Sequence, residues 1–154
     1  MRRLAFVSLL LICVAWPATR GQSQSGPKPE ELAQTVSDAY KGKTLADLDK
    51  KHLAAGTITV VIEHSLMEGK NGNGLIRVRR FKNLAAIDKW LNSQQREDSS
   101  PFRQTKPLLK CGKGRCAYNF DGGILHNQLY LHDLYYSSRN GRLYITKLHL
   151  LDGD

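Results

Sequence analysis

The sequence predicts an α+β domain, with two to three helices packed on a curved antiparallel sheet of about six strands. Three observations carry that reading. Apolar residues recur at helical spacing near 29–55 and again near 83–91. A β-branched run, Thr57-Ile58-Thr59-Val60-Val61-Ile62, is bounded by glycine and answered by a second extended run from Leu75 to Phe81. Four more extended pieces then follow one another between Pro107 and Leu151, separated by turn-forming residues.

Ahead of the domain stand Arg2 and Arg3, an apolar run from Leu4 to Trp16, and the exit Pro17-Ala18-Thr19-Arg20-Gly21. A charged start, a short apolar middle and a small-residue exit are the parts of a secretory signal peptide. The run is about 13 residues against about 20 for a spanning helix, so residues 1–21 read as a cleaved leader and the mature chain has no transmembrane segment. Residues 22–28, rich in Ser, Gly and Pro, read as a flexible stem. That leaves 29–154 as a single α+β domain with a secreted or periplasmic address.

Pro29 at a first helical position, Glu30 and Glu31 in the first turn, and Leu32, Val36, Ala39 and Tyr40 on one stripe predict a helix that Gly42 ends. Thr44 with Asp47 reads as a capping box opening a second helix, its face marked by Leu45, Leu48 and Ala55. The hairpin comes next. An odd-numbered loop of three or five residues would put Val60, Ile62 and Leu66 on one face with Ile76 and Val78, and Glu63 and Ser65 on the other with Arg77 and Arg79. Asn83 then caps a third helix with Leu84, Ile87 and Leu91 along its stripe. Helices, hairpin, helix and antiparallel meander, in that order, resemble the curved roll of the nuclear transport factor two-like and cystatin-like folds. The resemblance rests on element order alone and implies a fold, not an activity.

Cys111-Gly-Lys-Gly-Arg-Cys116 places the two cysteines of the mature chain on either side of a glycine-rich turn. In an oxidising compartment this predicts a disulfide across a hairpin, contributing about 2 kcal/mol by loop entropy. Four intervening residues and no thioredoxin-like pattern argue against a redox pair, and a zinc site at the cysteines lacks its other two ligands. No cofactor is implied.

Asn140-Gly141 favours a two-residue turn in which Arg139 faces Arg142. Continued outward without interruption, that register sets His132 directly across from His149, with Cβ atoms about 4.5 to 5.5 Å apart. Such a pair can hold a metal jointly or respond to protons. The same register puts Tyr136 beside Ile145 and Leu134 beside Lys147 on the histidine face, and sends Asp133 to the other face, out of the site. His64 and His126 are further candidates, His126 too far along its strand to join without a bend. Neither face is cleanly polar, so helices are expected on one and a ligand, partner or second copy in a homodimer on the other.

The formal charge is +9, and residues 65–115 alone carry +8. This asymmetry points to an anionic partner: an envelope glycan, a lipid surface or, less directly, nucleic acid. Within Arg77-Val78-Arg79-Arg80-Phe81-Lys82, alternation splits the cations between two faces, which suits a solvated strand edge as well as a binding patch. Besides an envelope interaction module whose basic middle docks anionic lipid or polysaccharide, two functional readings follow. The first is an exported binding protein without catalysis, its ligand anionic and its binding residues drawn from Arg77, Arg79, Tyr136, His132 and His149. The second is a small secreted phosphodiester hydrolase of ribonuclease type, with Glu63 as base, His132 or His149 as acid, and Arg77 or Arg79 stabilising developing negative charge.

Overall fold

A computed structural model describes residues 28–64, 76–94, 107–119 and 129–153. The expected leader, most of the stem, the hairpin loop with Ser65 and Leu66, and His126 lie outside the described residues. The elements run α1 (Pro29–Lys41), α2 (Leu45–Asp49), β1 (Ala54–His64), β2 (Ile76–Phe81), α3 (Leu84–Ser93), β3 (Leu108–Gly112), β4 (Arg115–Asn119), β5 (Leu129–Arg139) and β6 (Arg142–Asp152). The strands form one six-stranded sheet in the order β2-β1-β6-β5-β4-β3. The result is a small α+β domain, but the sheet is mixed rather than antiparallel, because β1 and β6, its second and third strands, pair in parallel. The first and last strands thus become neighbours.

The helices gather on one face of the sheet, α1 lying across β3, β4 and β5 while α3 meets β2. Beneath them is the core, built from Leu32, Val36, Leu45, Leu48, Ile58, Val60, Ile62, Leu84, Ile87, Leu134, Leu148 and Leu150. Tyr118 reaches into it from β4, and its buried hydroxyl donates to the carbonyl of Ala33 at 2.8 Å. α1 starts at Pro29 and closes at Gly42, whose N–H donates to Asp38 O. α2 is only five residues, Thr44 makes no side-chain cap, and Ala55 belongs to β1. The capping-box reading is therefore corrected.

What holds α2 is an exchange of carboxylates with α3. Asp49 accepts from the N–H groups of Leu84 and Ala85 at 3.0 and 2.9 Å, and Asp88 accepts from Ala46 N–H at 3.3 Å. Asn83 adds the expected cap on Ala86 N–H at 2.9 Å. Each helix thus caps the other's open N–H groups, where the helix dipole also favours negative charge. Asp49→Ala is expected to destabilise the protein by about 1–2 kcal/mol, read as a lower midpoint in urea with an unchanged slope.

Cys111 and Cys116 sit opposite each other on β3 and β4 and are bridged. The turns after β3 and β5 are both tight, with positive φ at Lys113-Gly114 and at Asn140-Gly141. Arg139 pairs with Arg142 as expected.

The β1–β2 hairpin departs from its expected register. Ile58 faces Phe81, Val60 faces Arg79, Ile62 faces Arg77, and Glu63 faces Ile76. Arg77 and Arg79 therefore share the helix side with Val60 and Ile62, while Ile76 and Val78 point to the other side, 60% and 59% exposed. Phe81 explains the choice. It packs against Trp90 of α3 with ring centroids 5.5 Å apart, and burying that ring beside Ile58 outweighs covering two aliphatic residues on an edge strand. Arg79 follows onto the same side, its guanidinium 5.4 Å from the Trp90 ring.

Candidate functional site

The face turned away from the helices carries the polar cluster, and its geometry depends on two irregularities between β5 and β6. From the turn outward the pairing is regular to Tyr136–Ile145, but the next pair is Tyr135–Lys147, with Thr146 extra on β6. Leu134–Leu148 and Asp133–His149 follow; then His132 is extra on β5, and Leu131–Leu150 restores the original phase. Two opposed bulges thus shift three pairs by one residue, and a one-residue shift exchanges faces. The shift buries Leu134 and Leu148 in the core and turns Asp133, Tyr135, Lys147 and His149 outward together.

This overturns two expectations. His149 lies across from Asp133, not from His132, and Asp133 is a member of the site rather than excluded from it. A bulge places two consecutive residues on one side of a strand, so His132 and Asp133 both reach the cluster. The two imidazoles remain neighbours, ring centroids 5.4 Å apart and edge to face. Tyr136 pairs with Ile145 as expected, but packs against the core rather than on the histidine face, leaving Tyr135 as the aromatic of the site.

Asp133 is the hub. Its side chain is 2% exposed, yet four hydrogen-bonding nitrogens converge on it. Arg115 brings Nε and Nη2 to Oδ1 at 2.8 and 2.7 Å, and His132 Nδ1 and His149 Nδ1 each lie 3.0 Å from Oδ2. Burial pushes the Asp133 carboxyl up most strongly of any single influence; the hydrogen bonds from His149, His132 and Arg115 together outweigh it and hold the group below its ordinary value. The Arg115 guanidinium is held above its own ordinary value by the bond to Asp133.

His149 is bonded at both ends, its Nε2 lying 3.0 Å from Glu63 Oε2 on the neighbouring strand. Glu63, His149, Asp133, His132 and Arg115 form one connected network across β1, β6, β5 and β4. Beside it, Tyr135 is flanked by cations, Lys147 Nζ 3.5 Å and Arg115 Cζ 6.0 Å from its ring centroid. His64 is elsewhere: buried on the helix side, its Nδ1 is 2.9 Å from Asp152 Oδ2.

Of the residues singled out from sequence, the fold brings Glu63, His132 and His149 together and leaves Arg77, Arg79 and Tyr136 off the cluster's face. Asp133, Arg115, Tyr135 and Lys147 were missed. A signal for them exists: Leu131 to Leu134 and Ile145 to Leu148 are both spaced by three, and a strand that buries both members of such a pair must change phase between them.

The cluster can therefore hold a cation between its imidazoles and carboxylates, present positive groups to an anion, or pass a proton along Glu63, His149, Asp133 and His132. Among the described residues no helix is long and apolar enough to cross a membrane. Comparison with protein-family models, with curated proteins and with solved structures returns no match, so roles at this site rest on its own geometry.

Proposed function

We propose that this is an exported binding protein whose ligand is anionic and is held on the helix-free sheet face. One observation carries the reading: Arg115, Tyr135 and Lys147 lie in register across β4, β5 and β6, two cationic side chains about one aromatic ring, beside His132. Arg115 spends Nε and Nη2 on Asp133, which leaves Nη1 to a ligand, and Lys147 offers an ammonium with three donors. Phosphate, sulfate or carboxylate groups on an envelope glycan or lipid suit that pattern. The domain itself is read as a roll of the cystatin-like or nuclear transport factor two-like kind, supported by its element order. A secreted or periplasmic address follows from the leader-like start.

The test is binding of heparin and of phosphatidylglycerol vesicles at about 0.05 and 0.2 M salt, with Lys147→Ala against the double variant Arg77→Ala/Arg79→Ala. Lys147→Ala is expected to weaken binding at least about fivefold, with a salt dependence typical of exposed charges. Loss of binding with the β2 double variant alone would move the site to the opposite face. No binding of either probe at low salt would end the anionic reading.

Hydrolysis of phosphodiesters is favoured by a separate observation, the hydrogen-bonded chain joining Glu63, His149, Asp133 and His132. In that reading Glu63, the base assigned from sequence, instead orients His149, the more exposed His132 meets the substrate, and Arg115 or Lys147 takes the charge-stabilising role assigned from sequence to Arg77 or Arg79. RNA cleavage that is lost in His132→Ala would support it; no cleavage would remove it.

A further inference from the structure

A single carboxylate oxygen receives two imidazole nitrogens. His132 Nδ1 and His149 Nδ1 each lie 3.0 Å from Asp133 Oδ2, and the three residues each bring one ligand atom within 4.8 Å of the others. An ionised carboxylate only accepts hydrogen bonds, so in the metal-free arrangement both Nδ1 atoms point protons at the same oxygen. An ion bound at about 2.0–2.1 Å by donors separated by about 90–110° needs them about 3.0–3.4 Å apart. Both nitrogen–oxygen separations are already at that spacing.

The surroundings complete the case. Metal-bound histidines characteristically give their second nitrogen to a carboxylate or carbonyl, which fixes the tautomer. His149 does this through Nε2 to Glu63 Oε2, leaving Nδ1 as the ligating atom. Arg115 holds Asp133 by Oδ1, leaving Oδ2 for the ion. The bulge at His132 is what lets adjacent residues His132 and Asp133 ligate from one side of a strand. Lys147 and Arg115 balance Asp133 and Glu63 in charge, so the face gains attraction for an anion when a divalent ion is added.

We propose that His132 Nδ1, Asp133 Oδ2 and His149 Nδ1 form a three-ligand site for a first-row divalent transition metal, Zn2+ foremost, with its remaining coordination open to water or to an anionic ligand. Two imidazoles with one carboxylate select Zn2+, Co2+ or Ni2+ over Mg2+ and Ca2+, which prefer all-oxygen sites. Binding replaces the two Nδ1 hydrogen bonds to Oδ2 by bonds to the ion, with each imidazole then carrying its proton on Nε2, the atom His149 already directs at Glu63, and leaves the Arg115 bonds to Oδ1 in place. The metal site does not rest on the anionic reading.

The experiment uses tag-free protein stripped with a chelator and titrated with Zn2+ alone and with Co2+ alone. Co2+ is expected to develop visible ligand-field absorption that one equivalent of Zn2+ abolishes. Zn2+ at about a hundred times its Kd is expected to raise the unfolding midpoint by several degrees. His132→Ala, whose side chain is 39% exposed, is expected to keep the far-UV spectrum and lose at least about a hundredfold in affinity, and Glu63→Gln about tenfold. His52→Asn, at an exposed position with φ of 52°, serves as the histidine control and is expected to bind as the wild type does. No midpoint shift and no Co2+ spectrum, or undiminished binding in His132→Ala, overturns the site. Anion titrations repeated with chelator present test the anionic reading separately, so the two can fail independently.

Discussion

Replacing Asp133 by asparagine is expected to destabilise the metal-free protein by about 2–4 kcal/mol at neutral pH. The carboxylate is buried and fully engaged: Oδ1 accepts from Arg115 and Oδ2 from two imidazoles. An amide keeps the shape, but its NH2 meets groups that themselves donate, and Arg115 loses its charged partner. The half-exposed Arg115 recovers some solvation in water, which keeps the cost below that of stranding a fully buried cation. The pH dependence has a definite sign. Because the folded carboxyl is held below its ordinary value near about 4, its contribution is fully present above that value and is lost as pH falls through the folded one. Urea midpoints of wild type and Asp133→Asn should therefore differ most near neutrality and converge in acid. A difference that stays constant down to about pH 2 would contradict this account of the network.

Leu148→Ala is expected to cost about 3–4 kcal/mol, among the largest effects of any apolar truncation here. Leu148 is fully buried at the centre of the sheet, paired with Leu134 on one side and Val60 on the other, both fully buried themselves. Three strands meet there, so the space left by a missing side chain cannot close without moving β1, β5 or β6. Leu108, 74% exposed on edge strand β3, is the control, and its alanine variant should lie within about 0.5 kcal/mol of wild type. Comparable losses at both positions would mean that the bulged register is misplaced, since the regular one would set residue 148 against Asp133 on the other face.

Much of the architecture is local and was readable. Proline at a first turn, glycine at a helix end, Asn83 as a cap and Asn140-Gly141 as a turn each act through backbone conformations that their own residues favour. The cysteine pair was readable for the same reason, since the chain between them is too short to do anything but turn. Thr44 shows the limit: its composition suits a cap, but Asp88 from α3 serves α2 instead, and nothing within 44–49 foretells that.

The candidate site was half legible. Glu63, His132 and His149 were identifiable as residue types able to do chemistry, whereas Asp133 was set aside because strict alternation sends neighbours to opposite faces. Alternation holds only until a bulge resets it. The leucine spacings record the reset, but they become decisive only when Leu134, Leu148 and Val60 are known to share one core.

By itself the sequence determined where the chain turns, which segments are helical or extended, and that its cysteines close a hairpin, because those outcomes cost or release free energy within a few residues. Only the tertiary structure decided that β1 lies parallel to β6, which face Phe81 commits β2 to, and where the two bulges fall. Each of those is settled by burial summed over several strands and a helix. The face a side chain takes is a property of the sheet it joins, and Asp133 meets His132, His149 and Arg115 because the core beneath them had first to bury Leu134 and Leu148.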